Sequence, residues 1–330
     1  MQMYRYIHVM MVSAAVTAGC DEAIEDVVAD GPTQLRALND NGIELNGAAA
    51  NGTRFNGTRF NGTWFNGAML LDARFAGSVE SKLSGWSLVP GTSLLQATDA
   101  DGRVYVGEEL VGAGLRWLIK DESQGTLDVY MRIAAVTQSQ RWPDVYFTDI
   151  EVRVGAGAWE SLCTDGAGSP TEAIVIPGFF DEETASWHPG EGGELAFACR
   201  GTAAGKCLEW GYRVWASHEG EALADHYRAC TRMVRADYCG NNVPHTVNGT
   251  VIDVSDGLKP PILAPETDWA VEAKWGPDGA VCLNQPRKLM YSREAVVAEC
   301  QSAGVGALPP CEDDDPEEHA GLLLSQASPS

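Results

Sequence analysis

Residues 221–240 read EALADHYRACTRMVRADYCG, and this stretch decides how the second half of the chain is built. Leu223, Tyr227, Cys230 and Val234 recur at the spacing that gathers side chains on one face of a helix, while Asp225, Arg228, Arg232 and Arg235 take the other positions. The spacing predicts a helix from Glu221 to Ala236, with Gly240 shortly beyond it suiting the exit. Cys230 then faces a core. At 1.5 Å of rise per residue, Cys239 stands about 13 Å further along the axis, too far for a bond to Cys230. Each of the two cysteines is therefore expected to tie the helix to a distant segment.

Six more cysteines surround this helix: Cys163, Cys199, Cys207, Cys282, Cys300 and Cys311. Eight is an even number, and in an oxidising compartment it implies four disulfides. Two pairings suit the local chain. Cys300 and Cys311 can turn back on each other across Gly304 and Pro309-Pro310, and Cys199 and Cys207 flank a loop from Gly201 to Gly205. No pair has the CxxC spacing of a zinc or redox centre. Ser292–Ala303 reads as a short second helix, with Ser292 as N-cap and Gly304 past its end. After Cys311 the acidic run Glu312–Glu318 and the remaining residues to 330 read as a disordered tail.

Upstream, from about Ser78 to Glu160, the pattern changes to period two. Leu127, Val129, Met131 and Ile133 alternate with Asp128 and Arg132, and Tyr146, Ile150, Val152 and Val154 oppose Asp149, Glu151 and Arg153. The expectation is antiparallel sheet with one wet face. Asp99-Ala100-Asp101-Gly102 is turn chemistry; it opens like a calcium loop, but no bidentate acid follows at the required distance.

Earlier still, Asn-Gly pairs begin at 41, 46, 51, 56, 61 and 66, with Leu45, Ala50, Phe55, Phe60, Phe65, Leu70 and Phe75 in constant phase. A period of five fits neither helix nor strand. Thr53-Arg54-Phe55-Asn56-Gly57 and its copies resemble the pentapeptide-repeat family, and the resemblance implies a short right-handed β-solenoid leaning on the following domain.

The N-terminus is an address. Arg5, an apolar run from Ile7 to Val16 too short to span a bilayer, and Thr17-Ala18-Gly19 before Cys20 describe a secretory signal peptide. The small residues ahead of Cys20 resemble the lipobox of bacterial lipoproteins, which implies lipidation of Cys20; Thr17 departs from the usual Leu. Asp21–Asp40, with six acids and one Arg, reads as a solvated tether.

The whole chain has 330 residues, 46 acidic against 23 basic, and a net charge of −23. That balance removes the electrostatic term behind nucleic-acid binding and attraction to anionic lipid. A hydrophobic content of 45% excludes disorder throughout.

Ala236-Asp237-Tyr238-Cys239-Gly240, with His226 and Cys230–Arg235 before it and His245-Thr246 and Asn248–Asp253 after it, resembles the ADYC-domain family of bacterial secreted proteins and lipoproteins. Leu162-Cys163, Cys207 with Trp210-Gly211-Tyr212, and Trp275 with Gly279–Asn284 extend the likeness over roughly residues 78–290. It implies no activity.

One constellation invites a catalytic reading. Cys239 as nucleophile, His245 as base and Asp237, Asp253 or His226 as orienting group would serve a hydrolase or transpeptidase. Cysteine parity argues against it, because a free Cys239 strands a second thiol. His218, His226 and Asp225 do not share a helix face suited to a metal. Arg228, Arg232 and Arg235 are expected to pair with the protein's own carboxylates. Trp187, Trp210, Trp215, Trp269 and Trp275 are more readily claimed by core packing than by a glycan groove.

The sequence thus predicts a mainly β protein with a few helices: signal peptide 1–19, tether 20–40, solenoid-like repeats 41–76, a disulfide-rich antiparallel β domain 77–311, and a tail 312–330. It is expected to sit in the cell envelope, anchored in a membrane through lipid on Cys20. Its expected action is to bind an envelope protein or glycan or to support structure, without metal, cofactor or nucleic acid.

Overall fold

The computed structural model describes residues 39–41, 49–51, 54–56, 59–60, 63–64, 68–75 and 83–328, apart from 122–124, 165–168, 182–183, 191–194, 248, 289 and 312–320. The signal sequence, Cys20 and most of the tether lie outside the described residues.

Among the described residues the fold is mainly β with three α-helices, α1 (Ala203–Trp210), α2 (Ala224–Arg235) and α3 (Arg293–Ser302). The larger sheet is antiparallel. Its pairings run from Gly125–Gln138 through Ala113–Asp121, Ala68–Phe75, Arg54–Asn56, Ala49–Asn51, Leu195–Cys199 and Ala173–Pro177 to Tyr146–Val154. Tyr146–Val154 then pairs back onto Gly125–Gln138, from Val129↔Val154 to Gln138↔Tyr146. Eight strands therefore close into a ring, which leaves few unpaired edges.

Period-two patterning sets the ring's polarity. Val129, Met131, Ile133, Ile150 and Val152 are buried in one core with Leu115, Val175 and Phe197, whereas Arg132, Glu151 and Arg153 lie on the half-exposed outer face. Along these strands the polarity is apolar inside and charged outside, the reverse of a membrane-spanning barrel. Outside, Arg132 and Arg153 both lie over Trp159, and Arg153 and Arg116 over Tyr130. The turn read at Asp99–Gly102 is a hairpin turn: Asp99 Oδ1 accepts from the Asp101 and Arg103 amides, and Gly102 has a φ of +83°.

Two strands of the ring are buried on both faces. Ala173 and Val175 enter the ring's core, while Ile174 and Ile176 enter a second core; Leu195 and Phe197 alternate with Ala196 and Ala198 in the same way. The second core is built on α1 and α2 and on a five-stranded antiparallel sheet. That sheet runs Asn39–Asn41, Thr250–Asp256, Leu323–Ala327, Val271–Gly276, Gly279–Leu283.

Three sequence expectations need correction, and a fourth, the solenoid-like repeat, is not shown: no solenoid coil is seen among the described residues of the repeat. Its strands pair antiparallel, with Ala49–Asn51 on Arg54–Asn56, Arg54–Phe55 on Ala68–Met69, and Arg59–Phe60 on Thr63–Trp64. Asn-Gly is the strongest short hairpin signal, and Asn61-Gly62 is the pair that separates the last two strands in sequence.

The tail is not disordered throughout. Leu323–Ala327 occupies the middle of the five-stranded sheet, with Leu323, Leu324 and Ser325 buried. The acidic run conceals a short apolar strand behind it.

The Gly201–Gly205 loop is instead the entry to α1, capped by Thr202 Oγ1, which accepts from the Gly205 amide at 3.4 Å. Finally, neither local disulfide forms. The bonds are Cys163–Cys199, Cys207–Cys230, Cys239–Cys300 and Cys282–Cys311. Cys207 lies on α1 and reaches across to α2, while Cys300 lies on α3 and is drawn to the turn after α2. The expected helix at 292–303 is present as α3, with the Ser292 hydroxyl accepting from the Ala295 amide.

Candidate functional site: the turn after helix α2

Helix α2 ends on Ala236, whose φ of 51° is left-handed. The Asp237 amide closes back on the Arg232 carbonyl at 2.9 Å. This turn drives Asp237, Tyr238 and Cys239 into the core, where none is more than 2% exposed.

Asp237 is fully buried and its carboxylate is saturated. Arg232 Nη1 donates to it at 2.6 Å, Arg235 Nη1 stands 3.6 Å away, and the Asn241 and Asn242 amides donate at 3.1 Å each. Arg232 also donates to the Thr184 carbonyl, and Arg235 to Asn242 Oδ1 at 2.7 Å. The helical pattern put both arginines on polar positions. They are in fact buried, and they enter the core because Asp237 is there. Burial lowers the Arg235 guanidinium from its ordinary range, with Asp237 opposing that shift. Arg228 pairs at the surface with Asp225 and Asp278.

Tyr238 organises a second buried network. Its hydroxyl donates to Glu272 Oε1 at 2.6 Å and accepts from the Arg287 amide at 3.2 Å, and its ring stacks on Trp275 at 5.2 Å. The Arg287 side chain donates to Glu272 Oε1 at 2.8 Å and to the Met233 carbonyl at 2.7 Å, adding a second donor to a carbonyl of the last turn of α2 that also accepts from the Ala236 amide at 3.0 Å. Glu272 Oε2 accepts from Ser325 Oγ, which accepts in turn from Trp275 Nε1. Burial raises the Tyr238 hydroxyl well above its usual range, reinforced by the adjacent Glu272 charge. Burial alone would lower Arg287, but Glu272 and Tyr238 more than offset it.

Cys239 is bonded to Cys300 across 61 residues. Gly240 follows at φ +64°, where a Cβ would stand 1.9 Å from the Asp278 carbonyl oxygen. Gly279 meets the same turn from the other side, at φ +133°, with its would-be Cβ 2.7 Å from the Tyr238 carbonyl oxygen. The close approach permits the Ala280 amide to bond to the Tyr238 carbonyl at 2.9 Å.

His245 is 3% exposed. Nδ1 faces the Ala236 carbonyl at 3.2 Å, Nε2 faces Glu299 Oε2 at 3.1 Å, and the ring packs against Tyr238 and Tyr291. The structure thus separates the catalytic candidates by role: the Cys239 sulphur is in a disulfide, Asp237 serves two arginines, and the carboxylate at His245 belongs to Glu299. Asp253 is likewise used as a turn acceptor, taking the Glu266 and Thr267 amides. His226 stacks on Tyr212 at 5.9 Å, and Tyr212 donates to Asp256 at 2.8 Å. His218 rests on the Pro260 carbonyl. Among the described residues no group of three or more His, Cys, Asp or Glu is placed to hold a metal ion. Trp187, Trp210 and Trp275 are buried in the core; Trp215 and Trp269 are partly buried.

Glu272, Arg287 and Glu299, which complete these networks, were not singled out in the sequence. In the strand Val271–Gly276, Glu272 and Lys274 alternate with Val271, Ala273 and Trp275 and so read as one wet face, although both are buried.

The fold and this turn define a class: a disulfide-stapled, mainly β protein whose most distinctive sequence motif is a buried structural junction. A family model, the ADYC domain, matches residues 107–289, more than half of the chain. The chain belongs to the ADYC domain family. No curated protein and no solved structure matches it. Its four disulfides are the chemistry of an oxidising, extracytoplasmic compartment. Among the described residues no helix is long and apolar enough to cross a membrane.

Proposed function

We propose that this protein is a lipoprotein of the cell envelope, carried on a lipidated Cys20 after signal-peptide removal, and that it acts by binding an envelope protein or glycan or by supporting envelope structure. One observation supports this reading over a cysteine-dependent hydrolase: Cys239, the strongest nucleophile candidate, is bonded to Cys300. A disulfide sulphur cannot attack an acyl carbon, and the groups that would activate it are committed to buried ion pairs and turn hydrogen bonds.

Thiol titration of the denatured, unreduced mature protein tests the proposal. Zero free thiols are expected, with Cys20 acylated and eight cysteines paired; a free Cys239 overturns it. Intact-mass measurement on membrane fractions tests the anchor. A soluble chain with unmodified Cys20 removes that part of the reading.

A further inference from the structure

The five-stranded sheet has an order that chain connectivity does not require. Thr250–Asp256 and Val271–Gly276 follow each other in sequence, yet they do not pair. Leu323–Ala327 lies between them, antiparallel to both, in registers Val254↔Ser325 and Ala273↔Ser325. The two flanking strands thus form a slot whose inner edges are completed by a segment reached only after Cys311 and the acidic run.

The slot reads its occupant closely. Leu323 and Leu324 are 1% and 5% exposed, and Leu323 and Ser325 are held on opposite sides by their partners in both flanking strands. Ser325 is fully buried, and its hydroxyl is the only link between Trp275 Nε1, at 2.8 Å, and Glu272 Oε2, at 3.1 Å, among the hydrogen bonds of the described residues. Gln326 Nε2 donates to the Trp269 carbonyl at 2.6 Å. At the entrance the Leu322 amide donates to the Trp275 carbonyl, and a Cβ on Gly321 would stand 2.9 Å from Lys274 Cβ. Small, apolar and hydroxyl positions are each specified. A central strand also uses its backbone groups on both sides, the mode by which an extended segment adds to a sheet.

We propose that the slot between Thr250–Asp256 and Val271–Gly276 is a strand-recognition site, filled within one chain by Leu323–Ala327 and able to accept the same strand from a second copy of this chain. The covalent path to the strand passes through Cys311, which is tied to Cys282 in the adjacent strand Gly279–Leu283. The ten residue-to-residue steps from 311 to 321 can reach at most about 36 Å when extended, enough to deliver the strand to a neighbouring molecule. Exchange of an identical element is a low-cost route to a dimer, because every contact is reproduced.

The test uses the full chain with a protease site placed within Glu312–Glu318. The folded protein is cut, unfolded in denaturant with its disulfides intact, freed of the released C-terminal fragment and refolded with a fluorescent peptide of residues 321–330. The uncut chain refolded alongside shows that the conditions permit folding. The wild-type peptide is expected to restore the native spectrum and co-elute with the protein. A peptide with Ser325→Ala is expected to bind at least tenfold more weakly, and one with Ser325→Pro, lacking a ladder donor, not at all. A body that refolds without peptide, that fails to refold with the wild-type peptide, or that takes the Ser325→Pro peptide equally well overturns strand recognition. The uncut chain, refolded at rising concentration, is expected to yield dimers. Monomers at every concentration overturn the exchange between copies.

Discussion

Tyr238 and Glu272, 34 residues apart in sequence and each no more than 1% exposed, are joined by a 2.6 Å hydrogen bond that also brings in Arg287. The arrangement makes three segments interdependent: the turn after α2, the strand Val271–Gly276, and the stretch around Arg287. Glu272→Gln leaves Arg287 as a buried charge without its counter-ion and is expected to cost about 3–5 kcal/mol. Tyr238→Phe removes a hydrogen bond to a charged acceptor and the acceptor of the buried Arg287 amide, and is expected to cost about 2–4 kcal/mol. Urea unfolding of the two variants and of the double variant checks both, with the double variant losing less than the sum.

Gly240→Ala is expected to rank among the most damaging small substitutions, above about 3 kcal/mol. The added carbon meets the Asp278 carbonyl at 1.9 Å, and backbone on both sides prevents relief. Gly102→Ala serves as comparison. It shares a positive φ but has nothing within 4 Å, so its loss is confined to backbone strain of about 1–2 kcal/mol. Equal losses in the two variants would remove the crowding argument.

The disulfides differ in the loops they close. Replacing Cys239 and Cys300 by Ser opens a 61-residue separation and is expected to cost about 4 kcal/mol, against about 3.4 kcal/mol for Cys207 and Cys230 at a separation of 23. Thermal unfolding of both double variants should place the Cys239/Cys300 variant lower.

His226 gives a pH dependence of known sign. Burial lowers its folded-state pKa below the unfolded value of about 6.5, with Glu221 opposing. The unfolded chain therefore binds the proton more readily in that window, and the contribution of neutral His226 is lost as pH falls through about 6.5. Asp256, raised by burial, has the opposite slope at more acid pH. Between pH 7.5 and 5.5 the wild type is expected to lose more stability than His226→Gln, as read by urea midpoints; parallel profiles would discard His226 as the source.

Tyr227 is fully buried, and its hydroxyl meets no hydrogen-bond partner among the described residues. Its ring packs edge-on against Trp187 at 6.1 Å. Tyr227→Phe keeps that contact while removing an unpaired polar atom, so stability is expected to stay level or rise by about 1 kcal/mol. A loss above 1 kcal/mol would reveal a partner for the hydroxyl.

What was legible in the sequence followed from local periodicity. The faces at Val129–Ile133 and Ile150–Val152, helix α2 with Cys230 turned inward, and α3 with its Ser292 cap all depend on neighbours within a few residues. Disulfide partners did not, because Cys207 and Cys300 are placed by helices whose packing directions are tertiary facts. The five-residue repeat is not decided by local pattern for a different reason: its Asn-Gly pairs serve solenoid corners and hairpin turns equally well, and the strands described within it pair antiparallel without showing a coil. Arg232 and Arg235 pair with one of the protein's own carboxylates, as their charge implies; their burial was not legible, because the acid that draws them inward is two to five residues away, across a left-handed turn no periodicity describes.

The distribution of covalent cross-links has a mechanical corollary. All four lie between Cys163 and Cys311, so tension along the chain meets two materials. Ahead of Cys163 the described strands are held by hydrogen-bonded ladders and apolar packing without covalent closure, and the first described ladder, Asn39–Asn41 on Thr250–Ile252, is three residues long. Beyond Cys163 most of the contour is locked inside closed loops and cannot be drawn out at all. A pull would lengthen the first half like a spring and leave the second half a rigid bead.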